Sequence, residues 1–199
     1  MNFEFAEQII PDLENLHFEK ALQTAETELK KIPATDFHDV LGKPLTVQAN
    51  DLAIWVENFY QVASKKTKIK TLYFEMNGFD INTDLWYLDG FTYNKDGGLD
   101  LDDMDWLTDF ETDSQTETGT IFIIEGYEKL QTAFETIKLK DDNLQNARDW
   151  CEHIIIARFM ELMRTAHLVA NKQKMKWATV PIYFTVHDYD IIVRSENYT

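Results

Sequence analysis

The chain has 199 residues, 44% of them hydrophobic and 13% aromatic, which predicts an ordered globular chain and excludes a disordered one. Its 35 acidic and 19 basic residues leave a formal net charge of −16, which weighs against nucleic-acid and anionic-membrane partners and favours a basic protein partner. No apolar run nears the roughly 20 residues of a transmembrane helix, the N-terminus lacks a signal-peptide pattern, and Cys151 is the only cysteine, a set that points to the cytoplasm.

The length predicts one domain spanning 1–199. A helix is expected over 11–31, opened by Pro11 and carrying Leu13, Leu16, Ala21, Leu22 and Leu29 on an apolar stripe. After a connection with a short turn at 36–41, a second helix opens at Asn50 or Asp51 as cap and closes in Ser64-Lys65-Lys66. The period then changes. Leu72, Phe74 and Met76 alternate with Thr71, Tyr73 and Glu75 as in a strand, and Leu85 to Tyr93 is again extended, which predicts an antiparallel pair. Turn residues Asn94 to Gly98 follow, then an acidic, irregular stretch over 99–118. Thr120 to Glu125 is a short β-branched run, and a helix carrying Tyr127, Leu130, Phe134 and Ile137 comes after Gly126. The longest helix spans about 142–171, capped among Asp141, Asp142 and Asn143, with an apolar face wide enough to be covered on more than one side. Val180 to Val186 and Tyr189 to Arg194 form two last strands around His187-Asp188. Strands grouped without βαβ alternation predict an α+β fold, an antiparallel sheet of about four to five strands covered by the long helix and the N-terminal helices.

Charge is concentrated in 80–118, which holds twelve acidic residues against Lys95 alone and so carries 11 of the 16 net negative charges. Trp86 and Trp106 are interleaved with Asp100, Asp102, Asp103, Asp105 and Asp109. Carboxylates that steer encounter and aromatics that supply affinity make this a candidate docking surface for a basic partner. The same letters also fit a solvated acidic loop whose aromatics join the core.

A partial calcium loop overlaps the segment, with Asn94 and Asp96 at its third and fifth positions, Gly97 at the bend and Asp103 at the twelfth. Thr92 stands at the first position where Asp is usual, and the approach is a strand rather than a helix. Among five histidines, His187 beside Asp188 and Asp190 is the best placed for acid–base chemistry. No nucleophile elbow, phosphate loop or zinc motif is present, and Cys151, at helical spacing among apolar residues, reads as a packed thiol. The expected function is a non-enzymatic, immunity- or inhibitor-like interaction module. The alternatives are a ligand- or metal-dependent enzyme using His187, Asp188 and nearby acids, and a calcium-stabilised binding module.

Overall fold

A computed structural model of the chain describes residues 2–78, 85–100, 103–189 and 191–197. The helices are α1 (Phe3–Ala6), α2 (Ile10–Glu14), α3 (Phe18–Leu29), α4 (Ala49–Ala63), α5 (Ser114–Thr118), α6 (Glu128–Thr136) and α7 (Asp142–Lys172). The strands are β1 (Thr71–Asn77), β2 (Tyr87–Tyr93), β3 (Thr112–Asp113), β4 (Phe122–Ile123), β5 (Ile182–Val186) and β6 (Val193–Ser195).

The expected helix over 11–31 is two helices. Leu16 takes φ 59°, and the backbone N–H of His17 closes on the Asp12 carbonyl at 2.7 Å. That left-handed residue ends α2 and lets both Leu13 and Phe18 turn into the core. α4 starts one residue before its expected cap, after a 3₁₀ turn at Thr46–Gln48. Asn50 caps nothing, since its Oδ1 accepts a bond from Gln173 Nε2 at 2.8 Å. α7 begins as the sequence indicates, with Asp141 Oδ1 accepting from the Leu144 N–H at 3.0 Å. The Asp36–Val40 turn is a 3₁₀ helix in which His38 Nδ1 accepts from Thr35 N, so its Nε2–H donates to the Leu29 carbonyl.

The sheet runs β3-β2-β1-β5-β6, with β4 sharing the outer side of β2. Four of its five pairings are antiparallel, whereas β1 and β5 are parallel, so the sheet is mixed. The chain between those two central strands passes through α7, a crossover that returns β5 in the direction of β1. The fold is α+β.

Strand alternation divides the side chains between two faces. Leu72, Phe74, Met76, Leu88, Ile182, Phe184 and Val193 join the main core with α3, α4 and α7. Gly90 sits at the centre of β2, where an added Cβ would lie 2.8 Å from the Phe74 ring and 3.1 Å from Phe59. Glycine there lets the two rings close over the sheet. Trp86, 1% exposed, meets Tyr127 and Phe134 edge-on in the same core. Cys151 is fully buried within α7, and burial pushes its thiol well above its ordinary value, leaving it inert. Among the described residues no helix is long and apolar enough to cross a membrane.

Candidate functional site

The other sheet face carries the alternate residues Tyr73, Phe91, Tyr93 and Tyr183, an aromatic cluster apart from the main core. The acidic middle of the chain folds back over it. A 3₁₀ turn at Asp105–Thr108 lowers Trp106 between Tyr93 and Tyr183, ring centroids 5.0 and 5.3 Å away and both contacts edge-on. Tyr93 donates its hydroxyl to the Leu107 carbonyl at 2.9 Å, and Phe110 packs on Phe91 at 5.2 Å. Gly97 makes room for the indole, because a Cβ there would lie 2.3 Å from Trp106 Cδ1 and Cγ. The stretch called irregular thus contains a 3₁₀ turn, β3 and α5, each held by the sheet face or its edge.

Both candidate tryptophans therefore point inward, Trp86 into the main core and Trp106 onto the second face at 8% exposure. Their rings are closed to a partner, because packing on strand aromatics outweighs display to water. Among the described residues of the segment, the exposed large apolar groups are Leu99 and Phe110. Around them Asp100, Asp103, Asp105, Asp109 and Glu111 are exposed. Asp109 meets Lys95 at 3.0 Å, and Glu111 accepts from the Asn94 side chain, while Asp103 and Asp105 have no cation beside them among the described residues. Asp102 lies outside the described residues.

Two of the calcium-loop residues, Asn94 and Asp96, bond to other side chains. Asp96 Oδ1 accepts from the Tyr183 hydroxyl at 2.7 Å and from Gly98 N at 3.1 Å, and its Oδ2 takes Arg194 at 2.7 Å. The Arg194 guanidinium also lies 5.4 Å over the Tyr183 ring and pairs with Glu196. Asp96 fastens the start of the acidic segment to β5 and β6, and Asn94 fastens its end through Glu111. Among the described residues no group of three or more His, Cys, Asp or Glu is arranged to hold a metal.

His187 meets a partner the sequence did not suggest. Its Nδ1 lies 2.6 Å from Glu75 Oε1, and a carboxylate only accepts, so Nδ1 carries the proton and Nε2 faces Asp188 at 3.6 Å. Tyr73 donates to the other Glu75 oxygen at 2.9 Å, and burial first, then Glu75, raises its phenol far above the ordinary value. Asp89, opposite Glu75 in the register, accepts from Gln115 at 2.8 Å. Burial pushes its carboxyl upward, the Gln115 bond opposes this, and Asp113 and Glu75 add repulsion. The arrangement can orient an imidazole, but the three described cavities lie around Asp39, His17 and Tyr60, and His187 lines none of them. Asp190 lies outside the described residues. The signal that could have found Glu75 is the β1 alternation, which puts it on the same face as Tyr73.

Comparison with known proteins finds no family model, no curated protein and no solved structure that matches this chain.

Proposed function

We propose that the protein is a non-enzymatic interaction module that binds a basic protein partner through the acidic surface of 80–118, in the manner of a cytoplasmic immunity or inhibitor protein. The supporting observation is the anchoring of that segment. Trp106, Asp96 and Tyr93 hold its backbone on the sheet, so Asp100, Asp103, Asp105 and Asp109 are presented from a fixed frame. A preorganised charged face loses little freedom when a partner docks, and its field accelerates encounter. Leu99 and Phe110 supply apolar contact in place of the buried tryptophans.

The test is a tagged pull-down from lysate of the source organism at low salt with stepwise salt elution. The wild-type chain runs beside a variant carrying D100N, D103N, D105N and D109N. The expected result is one stoichiometric basic protein retained by the wild type and lost from the variant. Equal retention by both would move the interface off this surface. A second reading, an acid–base site at His187, draws on the Glu75 hydrogen bond. H187N leaves capture of the basic partner unchanged under the first reading.

A further inference from the structure

A different surface carries chemistry of the opposite sign. The turn that leaves α4 and enters β1 borders a groove lined by Tyr60, Ser64, Lys65, Lys66, Thr67, Lys68 and Ile69. No carboxylate lines it, in a chain with 35 of them. The other two described cavities each mix acids with bases.

The lining is also unbalanced in hydrogen-bond terms. Lys66 is neutralised by Glu117 at 2.7 Å, and Ser64 donates to the Gln61 carbonyl, so those two side chains are used. The ammonium groups of Lys65 and Lys68 and the hydroxyls of Tyr60 and Thr67 have no acceptor among the described residues. Two cations and two hydroxyl donors face one groove whose backbone N–H groups at 64–67 are already bonded to Tyr60, Val62 and Ala63 carbonyls. The dipole at the end of α4 accounts for Lys65 and Lys66 just past its C-cap Ser64, but that influence fades within one turn and does not reach Lys68.

We propose that this groove is an oxyanion site that takes a phosphoryl group, with Lys65 and Lys68 supplying charge and Thr67 and Tyr60 donating to the remaining oxygens. A tetrahedral dianion has acceptors only, which is the complement of such a lining. Two carboxylates come close to the lining, Glu117, whose charge Lys66 offsets, and Glu57, which acts on the Tyr60 phenol; those beyond the screening length, about 8 Å at physiological ionic strength, repel a bound anion weakly. Lys66, held by Glu117, stiffens the wall and keeps the loop in place. The site is independent of the acidic face and does not rest on the interaction reading.

The test follows the amide resonances of Ser64 to Lys68 in the full chain while inorganic pyrophosphate is added, against potassium chloride at equal ionic strength. Saturable shifts with pyrophosphate alone are expected. K65Q/K68Q is expected to weaken binding by at least about tenfold, the order of one charge-assisted hydrogen bond. Both lysines are exposed, so an unchanged thermal melt accompanies that loss. K172Q/K174Q, at the C-terminal end of α7, should bind within about twofold of wild type. Inorganic phosphate and ADP separate a free ion from a phosphate ester, and binding of either alongside pyrophosphate supports the site. Shifts reproduced by chloride, equal binding by K65Q/K68Q, or binding of ADP without pyrophosphate would each overturn it.

Discussion

His167 shows how much one buried group ties together. Its Nε2 donates to the Ala178 carbonyl at 3.0 Å, which leaves Nδ1 to accept from Ser195 Oγ at 2.8 Å. Arg164 donates to the same Ser195 oxygen at 2.7 Å, and the ring stacks on Trp177 at 5.2 Å. Burial, reinforced by the Arg164 charge and opposed by the bond to Ala178, pushes the imidazole from 6.5 down to about 4. The native state thus excludes a proton that the unfolded chain accepts below 6.5. The stability this contributes is complete above pH 6.5 and disappears as pH falls toward 4, a change of about 3 kcal/mol. Urea midpoints between pH 7 and 4 should therefore fall more steeply for the wild type than for H167Q. Parallel slopes would mean that other groups carry the acid sensitivity.

Among the elements, the acidic segment is held on the sheet by the packing of Trp106 together with the bonds of Asp96 and Tyr93. G97A would put a methyl group 2.3 Å from the Trp106 ring, with Tyr93 and Tyr183 closing the other sides. The indole has to leave its place, at about 2–3 kcal/mol, the usual scale of overpacking. Expected are a red-shifted tryptophan emission and proteolytic cleavage within 94–111, with the rest of the chain protected. Unchanged emission and cleavage would mean that Trp106 is not what holds the segment. Elements were well marked in the sequence wherever periodicity ran uninterrupted, as in α7, β1 and β2. The break at Leu16 was not, because a leucine at φ 59° follows from where Leu13 and Phe18 must pack rather than from any turn residue. The acidic stretch read as loop for a related reason. Its order comes from strand aromatics lying elsewhere in the chain, not from its own propensities.

For the whole molecule, one sheet joins residues from 71 to 195, and the main core runs continuously from Ile9 to Val193. Far-ultraviolet circular dichroism and tryptophan fluorescence should accordingly report coincident urea transitions, and two separated transitions would divide the chain into independent units. Composition and alternation determined the α+β class, the extent of α7, the two-faced central strands and the clustering of negative charge, since each depends on neighbours within a few turns or residues. Tertiary structure alone decided that Trp86 and Trp106 face inward, that Asp96 serves Arg194 and Tyr183, and that His187 finds Glu75. Those pairings join groups 87 to 112 positions apart across a mixed sheet. Side-chain partners at that separation are chosen by the parallel register of β1 and β5, which no local pattern in the chain encodes.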